Sequence, residues 1–112
     1  YDLWLRMAVK EPIAYSPRPM TFYRIHGASL SANSRFLRGV ETILTRIAER
    51  YEGEAHFQNL IKRRRADVRL DLAWDLMASG ERAEARELIK AAQKLVPTWK
   101  GFKMNLRSML KR

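Results

Sequence analysis

The sequence predicts a mainly α-helical protein with one short β segment near its start. Apolar residues recur at three- and four-residue spacing through most of residues 34–110, which is the period of amphipathic helices. Residues 20–26, by contrast, are rich in Thr, Phe, Tyr and Ile, which favour a pleated backbone. The 112 residues are enough for one small domain with a hydrophobic core.

The first 31 residues predict a short helix, a proline-rich turn and a strand. We expect the helix over residues 2–10, with Asp2 as its N-cap. Pro12 limits it, because the residue before a proline avoids the helical region. The strand is expected over residues 20–26 and ends at Gly27, which begins a small polar loop.

From Ser34 onward the sequence predicts an antiparallel layer of about four amphipathic helices. They are expected from Ser34 to a break at Gly53, from about Ala55 to Ala78, from Glu81 to Val96, and from about Trp99 to Leu110. The residues expected to face inward are Phe36, Val40, Ile43, Leu44, Ile47 and Tyr51 in the first; Leu60, Ile61, Val68, Leu72, Leu76 and Met77 in the second; Ala85, Leu88, Ile89, Ala92 and Leu95 in the third; and Phe102, Leu106, Met109 and Leu110 in the fourth.

The charge of the chain is strongly basic and unevenly placed. Its 22 basic and 12 acidic residues give a net charge of +10, and most of this excess lies in residues 35–112. Such a surface attracts anionic lipid, nucleic acid or phosphorylated substrates, or is the solvated surface of a larger, charge-balanced protein. The cationic run of residues 62–65 points around the helix axis, which favours a solvated surface. No nucleic-acid motif is found, so nucleic acid is not an expected partner.

Several classes of protein are excluded or disfavoured. The chain has no cysteine, which excludes disulfides, thiolate metal sites and cysteine nucleophiles. No apolar run approaches the roughly 18 residues of a membrane span, and no signal-peptide pattern precedes the first helix. We therefore expect a cytoplasmic protein. Because the sequence opens at Tyr1, inside an amphipathic segment, we also expect it to be an excerpt of a longer protein.

His26 is the clearest candidate for a site residue. It closes the predicted strand and precedes Gly27, a position at which a rigid strand aims a side chain and another group can approach the backbone. Arg24 lies on the same predicted face, and an imidazole beside a guanidinium suits a site for a metal ion and phosphate oxygens. A hydrogen-bonded structural histidine is the alternative. His56 is given no role.

Three segments of the first 31 residues together form a specific pattern. They are Tyr1-Asp2-Leu3-Trp4-Leu5-Arg6-Met7-Ala8, then Pro12-Ile13-Ala14-Tyr15 with Pro17-Arg18-Pro19, and Phe22-Tyr23-Arg24-Ile25-His26-Gly27-Ala28-Ser29-Leu30-Ser31. This pattern resembles the end of the catalytic domain of family 2 glycosyltransferases, which have the GT-A fold and use nucleotide sugars. The resemblance implies two parts: residues 1–31 as the C-terminal end of that domain, and residues 32–112 as a basic helical extension.

The resemblance also implies a site. The family binds Mn²⁺ or Mg²⁺ through an Asp-x-Asp motif and takes its catalytic base from a Glu-Asp pair just before this first helix. Neither lies in this chain, so the base is expected upstream of Tyr1, no catalytic residue is assigned, and the fragment alone is not expected to be active. His26 corresponds to the histidine that completes the metal and diphosphate site. Arg24 and Ser29 are expected at the donor phosphates, with capping of the next helix as an alternative for Ser29.

The predicted function is that of the C-terminal part of an inverting glycosyltransferase of cell-surface polysaccharide or lipopolysaccharide synthesis. A glycan or lipid-linked molecule is the expected acceptor, and the basic helices could hold the enzyme at an anionic inner membrane face. Trp4 is interpreted as a core residue, with stacking on a sugar as the alternative. The rival prediction is a helical module that binds a protein or a membrane surface without catalysis. Residues 66–97 resemble one tetratricopeptide-type hairpin, although such arrays usually need about three units.

Overall fold

The computed structural model describes residues 1–22, 24 and 34–110, which form five α-helices. The helices are α1 (Asp2–Lys10), α2 (Ser34–Arg50), α3 (Ala55–Ser79), α4 (Arg82–Leu95) and α5 (Trp99–Leu110). The predicted mainly α class is confirmed, and each helix lies within a residue or two of its expected bounds. The glycine and proline residues between helices, together with the spacing of the apolar residues, were therefore sufficient to locate the helices.

The helix α3 is the centre of the layer, with α2 packed on one side and α4 on the other. Its Val68 joins the apolar cluster formed with α2, whereas Leu70 joins the cluster formed with α4 and α5. The helices α2 and α3 run antiparallel, since Glu41 of α2 contacts Arg65 of α3 while the later residue Ala48 contacts the earlier residue Gln58. A helix covered on two sides has no single apolar stripe, which is why α3 is the least amphipathic of the five.

The predicted inward stripes of α2 and α4 are confirmed at their centres. Val40, Leu44 and Ile47 are buried in α2, and Ala85, Ile89 and Ala92 are buried in α4. In α3 the prediction was incomplete: Leu60 is exposed, while three residues that were not expected inside are buried. These three residues are Ala66, Leu70 and Ala73. They lie inside because α3 has neighbours on both sides, which a search for one stripe does not anticipate.

A tight turn at Gly80 joins α3 to α4. Gly80 has a φ of 91°, in the left-handed region that side-chain-bearing residues rarely adopt. The backbone N–H of Glu81 donates to the carbonyl of Leu76 at 2.8 Å, closing the end of α3. The chain can therefore reverse at once, and the expected α3–α4 hairpin forms.

The helix α5 contradicts its predicted orientation. Trp99, Phe102, Leu106 and Met109 share one side of the helix and are exposed; we call them the α5 outer face. The residues that face the bundle are instead Gly101, Met104 and Ser108. The reason is close packing on α4, because a Cβ atom at Gly101 would lie only 2.5 Å from Nε2 of Gln93. Large side chains do not fit at that contact, and they turn outward.

The helix α1 is only loosely attached. None of its residues is buried, and Leu5 alone among them packs against the apolar cluster of α2 and α3. The expected N-cap was wrong: Tyr1 holds that position, and Asp2, one residue further in, pairs with Arg6 at 3.1 Å. There its carboxylate still complements the helix dipole. Trp4 is 61% exposed rather than a core residue, because none of the described residues covers it.

The predicted β segment is not supported. Residues 20–22 and 24 belong to no strand, and no described residue elsewhere in the chain takes part in a β-ladder. The other positions of the predicted strand, 23, 25 and 26, lie outside the described residues. A strand requires a neighbouring strand for its backbone hydrogen bonds, and the helical layer offers none.

Candidate functional site

The predicted donor site cannot be assembled from the described residues. Arg24 is exposed, and His26 and Ser29 lie outside the described part of the chain. Within residues 1–22, 24 and 34–110, no group of three or more His, Asp or Glu residues is placed to hold a metal ion. The metal and phosphate assignments to Arg24, His26 and Ser29 therefore stay predictions from the sequence.

The segment that leads to this site exposes apolar side chains. Throughout residues 11–22 every residue is exposed. The large apolar side chains among them are Ile13, Tyr15, Met20 and Phe22. With Leu3, Trp4 and Met7 of α1, they form a run of uncovered apolar groups that a soluble monomer rarely carries.

A cleft of about 280 Å³ separates α1 from the helical layer. It is lined by Tyr1 and by Leu5 of α1, by Leu44 of α2, and by Phe57 and Ile61 of α3. The lining is almost entirely apolar and carries few groups that could orient a polar ligand. We interpret this cleft as imperfect packing beneath α1 rather than as a binding site.

One carboxylate joins two arginines between α2 and α3. The Oε1 atom of Glu41 accepts hydrogen bonds from Arg65 at 3.1 and 2.9 Å and from Arg69 at 3.0 and 2.6 Å. All three side chains are only about a fifth exposed, and Oε2 of Glu41 is buried without a hydrogen-bond partner among the described residues. Charge-assisted bonds of this kind fasten the two helices together. No sequence pattern predicted this cluster, since Glu41 and Arg65 lie on different helices.

A second cleft, of about 300 Å³, lies where α3, α4 and α5 meet. Trp74 and Met77 line it from α3, Arg82 from α4, and Arg107 and Ser108 from α5. The Arg107 guanidinium lies 4.8 Å from the centroid of the Trp74 ring, within the range of a cation–π contact. A guanidinium over an indole, with a second arginine in the cleft lining, forms an environment suited to an anionic group.

The comparisons with known proteins add no assignment. No protein-family model, curated protein or solved structure matches the chain. Among the described residues, no helix combines the length and the apolar character that a bilayer crossing requires. Functional inference therefore depends on the residues of this chain and on the geometry above.

Proposed function

We propose that this chain is the C-terminal part of a nucleotide-sugar-dependent, metal-dependent inverting glycosyltransferase of family 2. Its proposed substrates are a nucleotide sugar and a glycan or lipid-linked acceptor, in cell-surface polysaccharide or lipopolysaccharide synthesis. The support is the ordered pattern of residues 1–31, from the Tyr1-Asp2-Leu3-Trp4 helix to the His26-Gly27 pair.

The observation that carries the proposal is the uncovered apolar surface of residues 1–22. These residues coincide with the family-like pattern, whereas the helical layer of residues 34–110 has a buried core of its own. A segment that belongs to the end of a larger catalytic domain would carry such side chains, because the rest of that domain would bury them. Trp4 and Phe22 then become contacts with the catalytic domain.

The proposed donor site uses three residues of this chain. His26 would supply one imidazole ligand, which suits Mn²⁺ alongside carboxylate and phosphate oxygens. Arg24 and Ser29 would hold donor phosphate oxygens by charge-assisted and neutral hydrogen bonds. When bound, the metal ion offsets the charge that develops on the departing nucleoside diphosphate. Its carboxylate ligands and the catalytic base would come from residues before Tyr1.

The sequence upstream of Tyr1 tests the proposal directly. We expect a Glu-Asp pair immediately before Tyr1 and an Asp-x-Asp motif farther back. Further helical hairpins in their place would contradict the glycosyltransferase assignment and support the rival prediction of a binding module.

The two histidines offer a matched test in the complete polypeptide. We expect His26→Ala to weaken Mn²⁺ binding by at least about tenfold, with an equal or larger loss of transfer activity at limiting Mn²⁺, since even outer ligand partners contribute that much. His56→Ala is the control, because His56 is exposed on α3, with its ring centroid 5.7 Å from that of Phe57. Binding is measured by titration calorimetry, and activity by release of nucleoside diphosphate. Equal behaviour of the two variants would refute the ligand assignment.

A further inference from the structure

We infer that the α5 outer face docks on the surface of a bilayer that contains anionic phospholipid, with α5 lying in the plane of the headgroups. This inference is independent of sugar transfer, because it depends on the helical layer and on none of the residues of the proposed donor site. The face consists of Trp99, Phe102, Leu106 and Met109, all of them exposed.

The outward orientation of this face is fixed at both ends of α5. At the start of the helix, the side-chain amide of Gln93 accepts from the backbone N–H of Thr98 at 2.9 Å and donates to its carbonyl at 3.0 Å. Toward the end, Arg86 donates to the carbonyl of Ser108 at 2.8 Å. Since Gly101 also approaches Gln93 closely, α5 cannot rotate its apolar side chains inward without breaking these contacts.

The charges around the face select an anionic partner. From residue 88 to the end of the sequence there is no acidic residue, while basic residues recur. They are Lys90, Lys94, Lys100, Lys103, Arg107, Lys111 and Arg112. Carboxylates of α3 also lie near α5: Asp71 is paired with Lys100 at 2.8 Å, and Asp75 lines the adjoining cleft. An apolar stripe bordered by cations is the pattern of helices that lie on anionic membranes.

The side chains favour a lipid surface over nucleic acid. Trp99 and Phe102 stack on each other, with ring centroids 5.3 Å apart, and Lys103 lies over the Trp99 ring. The face of Trp74 is covered by Arg107. Each of these rings therefore already has a partner within the chain, which leaves less of its surface for base stacking with a single-stranded nucleic acid. Leu106 and Met109 suit the upper acyl region, and Trp99 suits the boundary with the headgroups.

Arg107 extends the surface toward the cleft at Trp74. Held 4.8 Å from the Trp74 ring, its guanidinium lines this cleft, which Arg82 also lines. An arginine side chain can bind the oxygens of a lipid phosphate. Arg107 thus offers the headgroup a charged contact from the same helix that carries the apolar stripe.

The test measures partition of the chain onto vesicles. We expect binding to vesicles of equal parts phosphatidylglycerol and phosphatidylcholine to exceed binding to pure phosphatidylcholine by about tenfold or more, and to fall as salt is added. Leu106→Asn should lower partition onto the anionic vesicles by about tenfold, since the lost apolar group is the inserted one. Leu60→Asn is the matched control, because Leu60 is 51% exposed and Leu106 is 50% exposed. It should change partition by less than about twofold.

Tryptophan fluorescence locates the contact. In a variant that keeps only Trp99, addition of anionic vesicles should shift the emission to shorter wavelength, whereas a variant that keeps only Trp4 should show no shift. Circular dichroism confirms that each variant is folded. Equal partition onto both vesicles, partition onto neither, a shift at Trp4 alone, or preferential retention by a single-stranded oligonucleotide would each overturn the inference.

Discussion

The helices α4 and α5 are neighbours in sequence and in space, yet they use their apolar residues in opposite ways. In α4 the apolar stripe points into the layer, and Ile89 at its centre is completely buried. In α5 the four residues of the α5 outer face point away from the layer, while Met104 is buried together with Gly101 and Ser108. Amphipathic spacing thus shows that a helix has an apolar side without showing which partner covers that side.

The difference follows from shape at the contact. The aliphatic side chain of Ile89 fills space between α4 and the centre of the layer, where it belongs to the cluster that includes Leu70 and Leu76. At the α4–α5 contact the Cα of Gly101 lies so close to the Gln93 side chain that an added Cβ would have to displace it. Interaction across this contact combines hydrogen bonds, this close approach and the burial of Met104, and it leaves the α5 outer face available for another partner.

The largest expected effect is on the free energy of unfolding, and it contrasts the buried apolar side of α4 with the exposed apolar side of α5. Ile89→Ala should lower the free energy of unfolding by about 2–5 kcal/mol, because it leaves a cavity in a closed core. Leu106→Ala should change it by less than about 0.5 kcal/mol, because the side chain is already half exposed. Urea unfolding followed by circular dichroism measures both values. A similar loss in the two variants would mean that the α5 outer face is packed in solution.

An intermediate effect is expected at the close contact. Gly101→Ala should destabilise the chain by about 1 kcal/mol, since the new methyl group displaces Gln93 and breaks its two hydrogen bonds to Thr98, which outweighs the gain in helix propensity. In a Gln93→Ala background the sign should reverse, and Gly101→Ala should then stabilise by up to about 1 kcal/mol. A double-mutant cycle by chemical denaturation measures this coupling. Equal effects in the two backgrounds would disprove the steric explanation.

The smallest effect is expected at the charged border of α5. Lys100→Ala removes an ion pair with Asp71 in which both side chains are about half exposed. Such pairs contribute about 0–1 kcal/mol, and the contribution fades at high salt. Thermal unfolding at low and high salt provides the measurement. A loss well above this range, unaffected by salt, would show that Lys100 holds α5 to α3 by more than an exposed charge pair.

The sequence predicted the bounds of the helices better than it predicted the N-cap of α1 or the strand after it. Gly80 and Pro97, together with the apolar period, placed the ends of α3, α4 and α5 within a residue or two. The N-cap of α1 was expected at Asp2 but lies one residue earlier, at Tyr1. The Tyr1 side chain makes no capping hydrogen bond, so no side-chain cap marks the start of this helix. The strand expected over residues 20–26 was predicted from β propensity and from the break at Gly27, and the residues described there, 20–22 and 24, belong to no strand.

The proposed donor site and the α5 outer face also differ in whether the sequence predicted them. The donor-site prediction at Arg24, His26 and Ser29 arises from an ordered pattern in the sequence. Of these three residues, Arg24 is the one that the structure describes. The α5 outer face arises from the structure, because three of its four residues, Phe102, Leu106 and Met109, were expected to face inward. The contact of Trp74 with Arg107 likewise joins residues that are distant in sequence and share no motif.

The sequence by itself determined where the chain is helical, where α3 turns back at Gly80, and how strongly basic residues 88–112 are. These properties depend on backbone preferences and charges within a few residues of each position. Only the tertiary structure decided that α3 is covered on two sides, that Glu41 binds both Arg65 and Arg69, and that α5 turns its large apolar side chains outward. The reason is that burial is set by the shape and distance of neighbours on other helices, which no local pattern encodes.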